Sequence, residues 1–355
     1  MKVGIDISQI VFAGTGVATY TRNLVENIVK QDQKNEYVLF GSSLRQQKIL
    51  NDFLPNINHK IFPIPPTVME TIWNRFHILP VENLIGKVNV FHSSDWTESP
   101  SKAKKVTTVH DLIVYKFPKS SDPGIIAAQK RKLTWAKKEE AAFIAVSKAT
   151  KKDIVEILGV PEEKITVIYE AARDIFKKSN KKNSDKPYIL AVGTREPRKN
   201  LDRLVKAYES LNLKDVDLVI AGKFGWGPST SLRIKSSVKV LGYIPPEKLV
   251  DLYSNALCFA YPSIYEGFGI PILEAFNCEC PVITSDISSM PEVGGNAAIY
   301  ADPLSVSDIA EKLRFVLELS QSKCKVLIQK GLDQAKKFSW EKAAQETIKI
   351  YESLV

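Results

Sequence analysis

The feature that most constrains the fold is an alternation of short apolar runs with helical patterns. Uninterrupted apolar runs predict strands that are buried on both faces of a parallel sheet, with helices covering it. In the N-terminal half the predicted strands are residues 3–7, 37–40, 88–92, 105–109, 143–146 and 165–169. The helical patterns between them cover residues 15–30, 125–142 and 148–158. This half therefore predicts a doubly wound α/β domain.

The alternation stops at residues 177–186 (KKSNKKNSDK), a polar and charged segment that is typical of a linker. It restarts with predicted strands at residues 188–192, 218–221, 238–241, 257–261 and 282–284. A chain of 355 residues also exceeds what one hydrophobic core usually organises. We therefore predict two doubly wound, Rossmann-like domains, residues 1–176 and 187–334, that face a central cleft. We expect the helical segment 335–355 to pack back on the first domain.

The densest motif is PSIYEGFGIPILE at residues 262–274, directly after a predicted strand. Ligands of doubly wound sheets bind at the carboxyl ends of the strands. Gly267 and Gly269 allow a tight turn whose N–H groups converge. Carboxylates such as Glu266 and Glu274 bind vicinal hydroxyls well, because two acceptor oxygens meet two donors. Each glutamate alone is as typical of a solvated loop or a first helical turn, but the combined pattern favours a binding site.

A second strand end carries the turn GTREPRKN at residues 193–200. It places Arg195, Arg198 and Lys199 at a carboxyl edge of the same domain. Transfer of a sugar from a nucleotide diphosphate leaves an anionic diphosphate, and fixed positive charge stabilises that leaving group. Basic residues in a turn before a helix are also common as solvated charges, so this motif alone does not decide.

Together these motifs resemble the signature of the family 4 retaining glycosyltransferases, which use nucleotide sugars and have the GT-B fold. The similarity continues through PVITSD at 281–286, PEVG at 291–294 and AAIYADP at 297–303. The resemblance implies transfer of a hexosyl group, mannosyl or glucosyl, from a UDP- or GDP-sugar. It further implies a glycan or lipid-linked acceptor in cell-surface polysaccharide or glycolipid synthesis. The first domain would bind this acceptor and the second domain the nucleotide sugar.

The resemblance also assigns roles to the residues of the dense motif. Glu266 and the backbone amides of Gly267, Phe268 and Gly269 would contact the donor sugar. Glu274 would hold the ribose hydroxyls. These residues match the family's motif position by position.

In the basic turn, Lys199 matches the family's diphosphate-binding lysine. The chain departs from the family at Thr194, where many members carry an arginine directly after the first glycine. Arg195 and Arg198 are the two candidates to replace that arginine at the diphosphate.

Two motifs of the first domain also match the family. His110 and Asp111 follow a predicted strand. A lone histidine at a strand end is more often structural, but His110 resembles the family's histidine beside the donor sugar. We expect it to position acceptor and sugar, with Asp111 orienting its imidazole or contacting the acceptor. Gly14 and Gly16 resemble the family's N-terminal glycine loop, which lies over the diphosphate.

The remaining family features concern the base and the mechanism. Residues 222–227 and 242–244 match the segments that approach the base, through backbone contacts that do not separate uridine from guanosine. Asp215 and Asp217 superficially resemble a metal-binding acidic pair, but they precede a predicted strand, so we predict neither a metal nor a cofactor. No single general base is obvious, which agrees with the family's front-face substitution, in which the leaving phosphate helps to deprotonate the acceptor.

Basic residues concentrate in the N-terminal half, where residues 1–185 hold 28 of the 49 Lys and Arg but only 20 of the 40 Asp and Glu. A helix with basic residues on one face and Trp or Leu on another can lie on an anionic membrane. The residues that suggest such a face are Lys102, Lys104, Lys105, Lys130, Arg131, Lys132, Lys137, Lys138, Trp96 and Trp135. An exposed charged helix explains the same pattern equally well. No reader motif indicates a nucleic-acid partner.

The chain begins directly with a predicted strand, without a charged leader and apolar stretch. Its four cysteines, Cys258, Cys278, Cys280 and Cys324, lie in apolar or helical contexts that are typical of reduced thiols. No apolar run approaches the roughly 20 residues of a membrane helix. We therefore expect a cytoplasmic protein, with any membrane contact peripheral on the inner face.

Two other functions compete with glycosyl transfer. A nicotinamide-dependent oxidoreductase would use the loop at Gly14 and Gly16 and an acid near a second strand end, for which Glu36 is the only candidate. A GT-B-like binding subunit would keep the fold without turnover. The presence of Glu266, Glu274 and Lys199 favours an enzyme over such a subunit.

Overall fold

A computed structural model describes residues 1–181, 186–194, 196–222 and 236–355 of the chain. The chain divides into two compact units. The first unit comprises Met1–Pro118, Asp122–Glu170 and Trp340–Val355, and the second comprises Lys119–Ser121 and Ala171–Ser339. Arg195, part of the base-approaching stretch 222–227 and part of the predicted linker lie outside the described residues.

The first unit is built on a seven-stranded parallel sheet. Its strands are β1 Lys2–Asp6, β2 Glu36–Ser42, β3 Asn58–Phe62, β4 Val90–Ser93, β5 Lys104–Val109, β6 Ala142–Ala145 and β7 Ile165–Val167. Across the sheet their order is β3-β2-β1-β4-β5-β6-β7, and each neighbouring pair is parallel. The strand order therefore reverses between β1 and β4, and such a switch point opens a crevice at the carboxyl ends.

The second unit repeats this plan with six parallel strands. They are β8 Tyr188–Val192, β9 Asp217–Ala221, β10 Val238–Gly242, β11 Cys258–Tyr261, β12 Val282–Ser285 and β13 Ile299–Ala301. Their order is β10-β9-β8-β11-β12-β13, so the switch point lies between β8 and β11. Both sheets confirm the predicted doubly wound class.

Helices separate the strands in both units. In chain order they are α1 Gly16–Gln31, α2 Gln47–Asp52, α3 Pro66–Glu70, α4 Glu82–Ile85, α5 Ile113–Lys116, α6 Pro123–Lys138, α7 Lys148–Asp153, α8 Leu201–Ser210, α9 Pro246–Asn255, α10 Ile270–Asn277, α11 Met290–Gly294, α12 Val306–Leu317, α13 Gln321–Ala335 and α14 Trp340–Ser353. Two π-helical turns, Thr71–Arg75 and Ile154–Leu158, continue α3 and α7. Four 3-10 turns are Ser8–Val11, Pro118–Ser120, Glu162–Lys164 and Pro197–Lys199.

The first helix shows how the sequence dictates these elements. Thr15 caps α1, because its Oγ1 accepts a hydrogen bond from the amide of Ala18 at 3.2 Å. Leu24 and Ile28 are four residues apart, so they bury the same face of the helix. The last helix, α14, packs against α1 and buries Tyr351 completely.

The structure corrects three predictions about elements. Two strands were not predicted: β3 contains His59 and Lys60 and is only partly buried, and β13 has three residues. Neither strand contains the long apolar run from which the other strands were predicted. The predicted helical segment 335–355 forms one helix that begins later than predicted, because α13 ends at Ala335 and α14 covers Trp340–Ser353.

The structure also corrects the predicted basic face. Lys105 and Lys132 are 5% and 1% exposed, so neither lies on the surface. Lys105 pairs with Glu98 at 2.8 Å and with Glu139. The Lys132 ammonium donates to the hydroxyl of Thr107 in the interior. Among the described residues, no helix is both long enough and apolar enough to cross a membrane.

Candidate active site

The loops after β8 and β11 meet at the switch point of the second sheet. Asn200 joins them: its side-chain amide donates to the carbonyl oxygens of Pro262 at 2.9 Å and Pro303 at 2.6 Å. Asn200 is in the left-handed conformation at φ 60°, which asparagine adopts more readily than most residues. The amide of Ile264 also donates to the carbonyl of Arg198 at 2.7 Å. These hydrogen bonds fix the basic turn against the PSIYEGFG loop.

Glu266 stands between the two cations of this turn. Its Oε2 accepts from Nη1 of Arg198 at 2.7 Å, and its Oε1 lies 2.7 Å from Nζ of Lys199. Lys199 also donates to the hydroxyl of Tyr261, at 2.8 Å. Burial opposes ionisation of Glu266, but the two cations outweigh it and lower its pKa to about 2. The structure thus joins three residues that were predicted to share the donor site.

A fourth residue of this cluster was not predicted. Glu196 accepts from Nε of Arg198 at 2.8 Å, so the guanidinium lies between two carboxylates. Lys199 differs, since burial lowers the pKa of its ammonium despite the neighbouring Glu266. Arg198 therefore has its charge compensated twice, whereas Lys199 shares one carboxylate with it.

The loop between Glu266 and α10, residues 267–269, is buried. Gly269 precedes the helix with φ 112°, a conformation in which side chains are strained. The carbonyl of Glu266 accepts hydrogen bonds from the hydroxyls of Ser288 at 2.8 Å and Ser289 at 3.0 Å. The ring of Phe268 packs edge-on against Phe338, with 5.7 Å between the ring centroids. Gly267 lies between these fixed points, so the path of the loop is well defined.

Glu274 lies in the second turn of α10, not in the first turn as predicted, because the helix begins at Ile270. Its carboxylate accepts from the hydroxyl of Tyr253 at 3.2 Å. Burial raises the pKa of Glu274 to about 7, and the opposing effects of Arg173 and Tyr253 are smaller. The two glutamates of the motif thus have opposite electrostatic environments.

At the first sheet, His110 follows β5 and is held from two sides. Its Nδ1 lies 2.9 Å from Oε1 of Glu170, a residue that the sequence did not indicate. The ring of Tyr20 packs edge-on against the imidazole at 4.5 Å between centroids. Burial opposes the charged form, but Glu170, with weaker contributions from Asp95 and Asp111, raises the pKa of His110 above its usual value. The geometry therefore favours an imidazolium.

A small polar cavity of about 20 Å³ lies beside this histidine in the first unit. Its lining includes Asp6, Ser94 and Asp95, which follow or end the strands at the switch point. A void of that size accommodates about one water. Gly16 begins α1, and a Cβ at this position would meet no atom within 4 Å. Space for a ligand is therefore open at Gly16.

Two acidic residues test the predictions of an oxidoreductase site and of a metal-binding acidic pair. Glu36, the acid that an oxidoreductase needs at a strand's carboxyl end, is the first residue of β2 and pairs with Lys2 at 2.8 Å. It thus lies at the opposite edge of the sheet. Asp217 begins β9 and pairs with Lys186 and Lys239 at 2.5 and 2.6 Å, which is a structural role.

Comparisons with known proteins agree with this geometry. The family model "Glycosyl transferases group 1" matches residues 172–334, and "Glycosyltransferase Family 4" matches residues 14–172. O-antigen chain mannosyltransferase B of Escherichia coli is 30% identical over 284 residues, which cover 75% of this chain and 74% of the relative.

Solved structures share the fold at low sequence identity. Sucrose-phosphate synthase from Thermosynechococcus elongatus has a TM-score of 0.73 at 18% identity, covering 100% of this chain and 99% of that one. Anabaena HepE in complex with UDP and glucose has a TM-score of 0.72 at 17% identity, covering 99% of this chain and 100% of that one. The two parallel sheets and these structures identify the fold as GT-B.

Proposed function

The chain belongs to the group 1 glycosyltransferases of family 4, and on that premise we propose that it transfers a hexosyl group, mannosyl in the first place, from a nucleotide sugar. The single observation that carries the proposal is the cluster of Glu266, Arg198 and Lys199 at the switch point of the second sheet. The relation to an O-antigen mannosyltransferase supports mannose. HepE, crystallised with UDP and glucose, supports a nucleotide diphosphate donor.

In this proposal the second unit holds the donor. Lys199 and Arg198 bind the diphosphate, since a cation that shares a carboxylate can exchange it for a phosphate oxygen. Glu266 and the amides of Gly267, Phe268 and Gly269 contact the sugar. Glu274 accepts hydrogen bonds from the two ribose hydroxyls, and its carboxyl must be ionised to accept both.

The first unit is proposed to hold the acceptor, a growing glycan or a lipid-linked saccharide. The substrate is proposed to lie over Gly16, where a Cβ would meet no atom within 4 Å. His110 is proposed to form a hydrogen bond with the substrate. Glu170 supports this role, because its carboxylate lies 2.9 Å from Nδ1 of the imidazole and stabilises the protonated form.

The reaction retains the anomeric configuration. The bond between the anomeric carbon and the phosphate oxygen breaks, and a bond from that carbon to the acceptor oxygen forms on the same face. The acceptor proton passes to the leaving phosphate oxygen, so no protein base is required. The cations stabilise the charge that develops on the diphosphate.

A panel of UDP- and GDP-sugars, followed by mass analysis of products, tests the proposal. We expect one nucleotide sugar to raise the melting temperature and to be hydrolysed slowly without acceptor. A matched titration with NADH tests the alternative of an oxidoreductase. The position of Glu36 at the amino end of β2 already argues against that alternative. Binding of a nucleotide sugar with no hydrolysis or transfer would indicate a binding subunit, and binding of NADH alone would overturn the proposal.

A further inference from the structure

Four buried side chains of the first unit connect its last helix with His110. The hydroxyl of Tyr351, in α14, lies 2.7 Å from Nδ1 of His92, and Nε2 of His92 lies 2.9 Å from the hydroxyl of Thr108. The Thr108 hydroxyl lies 3.1 Å from that of Tyr20, and the ring of Tyr20 packs edge-on against the imidazole of His110. We call Tyr351, His92, Thr108 and Tyr20 the buried network.

The imidazole of His110 is fixed by two independent contacts. Its Nδ1 lies 2.9 Å from Oε1 of Glu170, and the Tyr20 ring stands at 86° to the imidazole plane, with 4.5 Å between the centroids. The hydrogen bond alone would let the imidazole turn about Nδ1. The adjacent Tyr20 ring opposes that rotation, since a packed interior leaves little room for a side chain to turn. Among the described residues, Nε2 of His110 has no hydrogen-bond partner, so Glu170 and Tyr20 determine where this nitrogen points.

Tyr20 is held in turn by the network and by α14. Its hydroxyl is bound to Thr108, and its ring packs against Trp340 with 5.7 Å between the centroids. Trp340 is the first residue of α14, and Tyr351 lies in the last turn of the same helix. The last helix therefore supports Tyr20 twice, directly through Trp340 and indirectly through Tyr351 and the rest of the network.

His92 can join the two ends of the network because its imidazole is neutral. Burial, with smaller contributions from Lys132 and His110, lowers the pKa of His92 to about 3. A neutral imidazole donates from one nitrogen and accepts at the other, so it pairs with the hydroxyls of Tyr351 and Thr108 at the same time. A phenylalanine in place of Tyr351 would leave one buried nitrogen of His92 without its partner.

We propose that Tyr20, His92 and Tyr351 are positioning residues for the sugar transfer, which hold the imidazole of His110 where its Nε2 meets the substrate. The proposal rests on the proposed function, in which His110 contacts the substrate. Small displacements of such a group matter, since a misplacement of about 1 Å can lower a rate by about 10²-fold. A network that only stabilised the fold would not act through His110, and this difference can be measured.

A double-variant cycle on the full chain tests whether Tyr351 acts through His110. Tyr351→Phe deletes the hydroxyl and keeps the ring, and we expect kcat of transfer to fall about three- to tenfold, with the KM of the donor unchanged. In the His110→Ala background the same change should lower kcat no further, because the positioned imidazole is already absent. The matched control is Tyr37→Phe, which deletes the hydrogen-bonded hydroxyl of a buried tyrosine in β2 of the same unit and should leave kcat unchanged.

Tyr20 provides the test of the last contact in the network. Tyr20→Phe keeps the ring edge against His110 and loses only the hydroxyl, whereas Tyr20→Leu loses both. The kcat should therefore fall more in Tyr20→Leu than in Tyr20→Phe, and both losses should vanish in the His110→Ala background. Thermal unfolding shows that each variant compared is folded at the assay temperature. Equal kcat of wild type and folded Tyr20→Leu would overturn the proposal, as would an undiminished effect of Tyr351→Phe in the His110→Ala background.

NMR of isotope-labelled histidine gives a readout that needs no turnover. The chain has four histidines, so their ring signals can be assigned by substitution. Tyr351→Phe should shift the ring signals of His92 and His110 and leave those of His59 and His77 in place. An unmoved His110 signal would overturn the proposal even where turnover falls. If the His110 signal moves but wild type transfers no sugar, the proposed function fails while the positioning of the imidazole stands.

Discussion

The two sheets of this chain have the same strand order, but the charged residues at their carboxyl edges differ. At the second sheet, Arg198 and Lys199 converge on Glu266 and hold its carboxyl ionised, with a pKa of about 2. At the first sheet the charge is reversed: Glu170 converges on His110 and favours the imidazolium. One fold thus places a buried carboxylate between two cations at one edge and a buried histidine beside a carboxylate at the other.

The strand order therefore determines where a site lies, whereas the charged residues around the site determine its chemistry. The second edge suits a ligand that brings negative charge, because Lys199 and Arg198 can turn from Glu266 to a diphosphate. The first edge offers a histidine beside a carboxylate, which suits hydrogen bonding to a neutral hydroxylated acceptor. Four variants test this contrast.

Glu266→Gln should lower turnover by about 10²–10³-fold, the scale seen when one group that stabilises a transition state is removed. The amide keeps the shape of the side chain but loses the charge that Arg198 and Lys199 share. Steady-state kinetics with the preferred donor measures the effect. Glu318→Gln, an exposed change in the same unit, is the control and should leave turnover unchanged. Near-normal turnover in Glu266→Gln would show that transfer does not need the charge of Glu266.

Lys199→Met should weaken binding of the nucleoside diphosphate by roughly ten- to a hundredfold, because one buried cation near the phosphates is lost. Calorimetric titration with UDP and GDP measures the affinity. Lys206→Met changes an exposed lysine of α8 and should bind as wild type does. Equal affinities in both variants would place the diphosphate elsewhere.

Glu274 should make stability depend on pH in a way that Glu274→Gln removes. Its folded pKa of about 7 lies above the ordinary value of 4.5, so the folded protein binds a proton that the unfolded chain releases in this range. The stabilisation is fully present below the ordinary pKa and is lost as the pH rises through about 7, by roughly 3 kcal/mol. Denaturant unfolding of both proteins at several pH values measures the difference. Parallel curves would show that Glu274 does not titrate there.

The same group should link donor binding to protons. Because the ribose hydroxyls need an ionised acceptor, wild type should bind the donor more weakly as the pH falls below about 7, and binding should release protons. Titration calorimetry in two buffers of different ionisation enthalpy detects the release. If wild type, like Glu274→Gln, releases no protons on binding the donor, Glu274 does not bind the ribose.

Glu170→Gln should have the smallest effect, a few-fold loss of turnover near neutral pH, because it acts through His110. Removing the carboxylate lowers the pKa of the imidazole, so the charged form disappears at lower pH. The high-pH limb of the pH–rate profile should therefore move to lower pH. Glu163→Gln, at an exposed position of the first unit, should not move it. An unmoved limb in Glu170→Gln would give Glu170 a merely structural role.

The same contrast explains how much could be predicted from sequence. Strand β8 matches its predicted bounds because it has the full pattern of a buried strand. The second edge was predictable because Glu266 and Glu274 lie in one 13-residue motif, with Lys199 in another. Glu196 was not predicted, since a carboxylate in a charged turn usually faces solvent.

The first edge could be predicted only in part. His110 was visible as a strand-end residue, but its partners Glu170 and Tyr20 are 60 and 90 positions away along the chain. Only folding brings them together, and no local pattern marks them. The buried Lys132 shows the reverse error, since a lysine in a basic run predicts a surface that the helix's orientation does not give it.

The most direct test of the central claim is a crystal structure of the chain with an unreacted nucleotide sugar bound. We expect the diphosphate to contact Lys199 and Arg198, the sugar to lie at Glu266 and the following amides, and the ribose to lie at Glu274. A nucleotide bound instead to the first unit, at Gly16 and Asp6 with no contact to Glu266, would contradict it.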